Sequence, residues 1–186
     1  MKLILVLSGL ITSSIASAIP SPVDPKSSVM KAPTPYDLTL VLEGTGDDAV
    51  WRLTDENVPP HVWERVKNST DVDAPANPGL AKRWSYQCST SHLAPASDCA
   101  ILIDSIQYST APIPESPRDI VYANCYISWS AVVSGPQLAL WPGGLDLYYF
   151  CSYYSGGTRF VSGVTRDYLA LNVAQCLSNR HNGCSY

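Results

Sequence analysis

The segment from Gly144 to Tyr154 reads GLDLYYFCSYY. Its odd positions, Leu145, Leu147, Tyr149, Cys151 and Tyr153, predict a strand with one face turned to a core. Gly156-Gly157 then permits a tight turn into a partner strand over residues 158–161. Upstream, IVYANCYISWSAVV (residues 120–133) alternates in the same way. Val121, Ala123, Cys125, Ile127, Trp129 and Ala131 stand in phase, between mostly polar neighbours.

Helices flank these strands. In APASDCAILIDSIQY (residues 94–108), Cys99, Leu102, Ile103 and Ile106 follow the i, i+3, i+4, i+7 spacing of one helix face. Pro95 suits the first turn and Asp98 the positive end. In TRDYLALNVAQCLSNRHNG (residues 165–183), Leu169, Val173, Cys176 and Leu177 share a face. Thr165 can cap its start and Asn182-Gly183 can end it. Short end strands fit residues 84–89 and 184–186. The expected fold class is therefore α+β: a disulfide-rich two-layer sandwich of β-α-β-β-α-β order, with two helices on one sheet.

Six cysteines, Cys88, Cys99, Cys125, Cys151, Cys176 and Cys184, follow the spacing C-x10-C-x25-C-x25-C-x24-C-x7-C. None forms the close pair of a zinc or redox site, so three structural disulfides are expected. The assigned elements suggest Cys99 and Cys176 each meeting Cys125 or Cys151, and Cys88 meeting Cys184. Each bridge adds about 2–4 kcal/mol, comparable with the net stability of a small domain.

All six lie on one side of Lys82-Arg83. Residues 19–83 hold nine of the 15 prolines, ten acids, seven bases and no cysteine. Residues 84–186 hold ten of the 11 tyrosines and no lysine. Leu80-Ala81-Lys82-Arg83 resembles a site for kexin, the dibasic-cutting protease of the fungal secretory route. The alternative is an uncut linker. Residues 1–18, MKLILVLSGLITSSIASA, read as a signal peptide, with Lys2, an apolar run from Leu3 to Ile11, and Ala16-Ser17-Ala18 at the cleavage positions. Three parts follow: a signal at 1–18, a Pro-rich pro-region at 19–83 with a hairpin at 37–53, and a mature domain at 84–186. Asn68-Ser69-Thr70 is a glycosylation sequon. A formal charge of −4 argues against a nucleic-acid partner, and no apolar run is long enough to span a membrane.

No GxSxG, HExxH, P-loop or GxGxxG motif occurs. His92, Glu115 and Arg159 could supply the residue types of a ribonuclease, though nothing in their spacing makes them converge. Asp98 and Asp104 diverge on one helix, which disfavours a paired-carboxylate glycosidase. Tyr148, Phe150 and Tyr154 fall opposite Cys151 in the expected strand, and Tyr122 and Tyr126 opposite Cys125. Exposed tyrosines give contact area at low entropy cost, so Tyr148, Tyr154, Trp141 and Arg159 form the candidate target-binding set.

Asp98-Cys99 heading a helix, the NCYISWS strand, and a C-terminal helix with a nearby Gly and Cys resemble kexin-processed secreted effectors of plant-associated fungi. More loosely, they resemble the killer-toxin-like group of smut viral killer proteins and necrosis-inducing extracellular effectors. The resemblance implies a non-enzymatic effector or toxin, without cofactor or metal, secreted and acting by binding a host or competitor component. A small secreted hydrolase and a wall-associated structural protein that keeps its N-terminal half are the rivals.

Overall fold

A computed structural model describes residues 35–68, 85–166, 172–182 and 184. The described chain opens with strands β1 (Val41–Glu43) and β2 (Val50–Arg52), paired antiparallel. Their connection carries Gly44 at φ +80°, where a Cβ would stand 2.5 Å from the Asp48 carbonyl oxygen. Only glycine fits there. Helix α1 (Pro60–Asn68) starts on proline, whose missing N–H costs nothing at that position. Then come β3 (Tyr86–Cys88), β4 (Ala94–Pro95), α2 (Ala96–Ile106), β5 (Asp119–Tyr122) and β6 (Cys125–Trp129). The last elements are α3 (Trp141–Phe150), β7 (Ser152–Ser155), β8 (Thr158–Val161), β9 (Gly163–Arg166) and β10 (Ala174–Ser178).

Seven strands form one mixed sheet in the order β1-β2-β5-β6-β10-β9-β3, and three form a second in the order β4-β8-β7. Every contact in the large sheet is antiparallel except β2 with β5, where Trp51 faces Ile120 and Arg52 faces Val121. The fold is mostly β. It is not the expected α+β sandwich of β-α-β-β-α-β order with two helices on one sheet.

Three misread periods account for the difference. The first is GLDLYYFCSYY, of which residues 144–150 are helical. Leu140, Gly144, Leu147 and Cys151 are all buried, and their spacing is that of a helix face. Pro142 sits in the first turn of α3, and the Cys151 N–H closes the last turn on the Leu147 carbonyl at 2.9 Å. Tyr-Tyr-Phe favours strands only weakly, and packing overrides it. A Cβ on Gly144 would touch Ile103 and Ile127, and one on Gly163 would come within 2.7 Å of Cys151 Sγ. These glycines let α3 sit close to α2, β6 and β9.

The second is residues 165–183. Residues 174–178 form β10, not a helix, and all five are buried. Leu177 faces the main core with the helices, and Cys176 faces the opposite side, beside Val164, Ala174 and Cys184. A strand covered on both faces shows no alternation, and Leu169, Val173, Cys176 and Leu177 then mimic a helix. Leu169 itself lies outside the described residues. The third is residues 120–133, which form two strands. Ala123 at φ +47° turns the chain, so Tyr122 and Cys125 pair and share a face. Val121 therefore points away from the core that Ile127 and Trp129 enter.

Helix α2 is where the spacing puts it. Cys99, Leu102, Ile103 and Ile106 are fully buried against the sheet. The same core takes Leu38, Leu53, Val58 and Val62, all from before Lys82-Arg83.

The six cysteines form three disulfides: Cys88–Cys151, Cys99–Cys125 and Cys176–Cys184. Cys99 has one of its two expected partners. Cys88 does not meet Cys184, because β10 carries Cys176 to the far face of the sheet, where the C-terminal turn delivers Cys184.

Candidate functional site

Strands β7 and β8 form a hairpin with Tyr153 opposite Phe160 and Tyr154 opposite Arg159. Gly156 and Gly157 make its turn at φ +57° and +80°, as a two-residue primed turn demands. Tyr154 is 60 % exposed and Tyr153 39 %. The Cys88–Cys151 bridge ties the base of the hairpin to edge strand β3. Beside that bridge, the exposed Tyr86 stacks on Phe150 with ring centroids 5.1 Å apart and planes 11° apart. Tyr86, Tyr153 and Tyr154 thus present aromatic rings on short segments leading from one disulfide.

The candidate set divides. Tyr154 is on the surface. Tyr148 is buried on α3, and the expectation of an exposed ring there is wrong: a helix, not a strand, carries it inward. Burial raises its pKa, against the pull of Arg159. The Arg159 guanidinium lies 4.5 Å from the Tyr148 ring centroid, and its Nη2 donates to the Tyr148 carbonyl at 3.1 Å. Arg159 therefore braces the hairpin on α3. Trp141 is half-buried at the start of α3. Tyr122 is buried, and its hydroxyl donates to Asp55 Oδ1 at 2.8 Å.

The ribonuclease triplet has separate surroundings. His92 Nε2 lies 3.2 Å from Arg180 Nη1, Arg159 engages Tyr148, and Glu115 is exposed before β5. Asn68 ends α1, while Ser69 and Thr70 of its sequon, and Lys82 and Arg83, lie outside the described residues. Among the described residues no group of three or more His, Cys, Asp or Glu is placed to hold a metal, and no helix is long and apolar enough to cross a membrane.

A second cluster joins the N-terminal segment to α2. His61 of α1 meets the rings of Tyr36 and Tyr108 edge-on, at 5.7 and 6.2 Å. The Tyr36 hydroxyl donates to the Ser105 carbonyl at 2.6 Å, and burial first, then Asp104, pushes its pKa up to about 12. Arg65 donates to Asp104 Oδ1 at 2.9 Å and to Gln107 Oε1 at 3.2 Å. Burial raises the Asp104 pKa in spite of that ion pair. Burial, then Arg65, lowers the pKa of His61, which disfavours the charged imidazolium there. Every group in this cluster leans on one across Lys82-Arg83, and the composition break at that pair hid the contact from a reading by halves.

The sequence model of a family described as Fungal WD-like matches residues 51–184. The chain belongs to that family. No curated protein and no solved structure matches it. The Fungal WD-like match marks a fungal protein, and it begins inside β2. The family's unit therefore takes in α1 and both sides of Lys82-Arg83, together with the β7–β8 hairpin and all three disulfides.

Proposed function

We propose that this Fungal WD-like protein is exported through the signal-like residues 1–18 and acts outside the cell by binding. Its target is a component of a host or competitor surface, engaged through the β7–β8 hairpin. One observation carries the reading: Tyr153 and Tyr154 stand exposed on the free edge of the small sheet, on a hairpin anchored by Cys88–Cys151. Rigid tyrosines at a protruding edge suit recognition. Three disulfides suit an oxidising, protease-rich exterior. Kexin-type cutting after Arg83 belongs to the same reading. Its killer-toxin-like grouping is weakened, since the C-terminal helix that suggested it is strand β10. The test is binding of the labelled, exported protein to host and competitor cells. Tyr153→Ala with Tyr154→Ala should abolish binding while the unfolding midpoint stays put. Undiminished binding by a folded double variant would overturn the reading.

A second reading has its own support. Leu53 and Val62 are buried in the main core, which favours a protein that keeps its N-terminal half, such as a wall-associated one. Mass spectrometry of the exported protein separates the two: an N-terminus at Trp84 marks cutting, and Ile19 as the sole N-terminus marks an uncut chain.

A further inference from the structure

We infer that residues 36–68 are a built-in subunit of the fold, so that cutting after Arg83 yields a one-to-one noncovalent complex and not a freed domain. This rests on the processing reading for its biological setting, but the interface stands without it. Strand β2 hydrogen-bonds along β5, and the Leu53 N–H continues the pairing to the Val121 carbonyl at 2.8 Å. Without the segment, β5 would become a bare edge, although all four of its residues are buried in the present fold. Such an edge is a template for aggregation.

The interface is also polar where it must be. Ser109 is fully buried; its hydroxyl accepts from the Leu38 N–H at 3.2 Å and donates to Gln137 Oε1 at 3.0 Å. Removal of the segment takes away one of those partners. At the other end of the sheet, the His181 ring lies between the two parts, with Nδ1 2.8 Å from the buried Asp119 carboxylate and Nε2 2.5 Å from the Asp47 carbonyl oxygen. No disulfide crosses from the segment to the rest, since residues 36–68 contain no cysteine. The segment is therefore held by burial, hydrogen bonds and the Arg65–Asp104 ion pair, all noncovalent, and a cut between α1 and β3 leaves those untouched.

The full exported chain is treated with kexin and examined by native mass spectrometry, beside a version whose residues 80–83 are replaced by a site-specific protease sequence. The expected result is one particle holding both fragments in equal number, which separate on a denaturing gel even without reductant. In the cut protein, Leu53→Asp should raise the free fraction of the short fragment roughly 10-fold or more, since it places a charge in the shared core. Cut wild-type fragments that separate, with the larger one still folded, would overturn the inference. Kexin leaving Arg83 intact would sink only the processing reading, because the replaced site still delivers the cut.

Discussion

Arg65 of α1 and Asp104 of α2 form an ion pair at 2.9 Å, and the two residues lie on opposite sides of Lys82-Arg83. The pair helps join the N-terminal segment to the cysteine-bearing part. The Arg65 side chain is 45 % exposed, so solvent weakens the attraction. Arg65→Ala should cost only about 0.5 kcal/mol in a denaturant titration. It should also move the Asp104 pKa further up, since burial remains and the attraction goes. NMR titration of the Asp104 carboxyl reads this directly; a pKa that falls or stays would show that Arg65 does not act on it.

His61 makes the junction sensitive to acid. Its folded pKa is lowered below 6.5, so the unfolded chain takes up a proton first as pH falls. The stability it contributes is complete above 6.5 and drains as pH falls through the lowered value. Asp104 has the opposite sign: its pKa is raised above 3.8, so stability is lost as pH rises from there through the raised value. His61→Phe fills the same space between Tyr36 and Tyr108 and removes a buried Nε2 that has no hydrogen-bond partner among the described residues. Unfolding midpoints between about pH 7 and 5 should fall for the wild type and stay flat or rise for this variant. Equal slopes in the two proteins would rule His61 out.

Tyr148 and Tyr154 should behave as opposites. Tyr148→Ala empties a buried site under Arg159 and should cost about 3–5 kcal/mol. Tyr154→Ala changes an exposed ring and should stay within about 0.5 kcal/mol of wild type. Thermal or urea unfolding compares them, and similar losses would mean that the hairpin packs against something further.

Proteolysis without reductant, followed by peptide mass spectrometry, should recover Cys88 linked to Cys151, Cys99 to Cys125 and Cys176 to Cys184. A Cys88–Cys184 peptide would place β10 and the C-terminal turn elsewhere.

Helix α2 was legible because its buried residues, Cys99 to Ile106, leave a polar face that keeps the 3.6-residue period visible. β6 was legible because only one of its faces meets the main core. The strand β10 was not, since Gln175 and Cys176 are buried on opposite faces and the sequence shows an unbroken buried run. Helix α3 was hidden by Tyr148, Tyr149 and Phe150, residues that favour strands, and by glycines that suggest turns. Gly143 in fact makes room for the Gln175 side chain, whose Nε2 donates to the Leu140 carbonyl at 2.7 Å. Tyr154 was placed on the surface and is there; Tyr148 followed the wrong period into the same set. The junction around His61 carried no local signal at all, because its partners sit far along the chain and beyond a change in composition.

Amide hydrogen exchange on the intact protein bears most directly on the unity of the two parts. The Leu53 N–H is bonded to the Val121 carbonyl, and the Leu177 amide lies in the pairing of β10 with its neighbours. If residues 36–68 belong to the core, Leu53 should exchange about as slowly as Leu177, through opening of the whole fold. Rapid exchange at Leu53 while Leu177 stays protected would contradict a shared core and restore a separable N-terminal appendage.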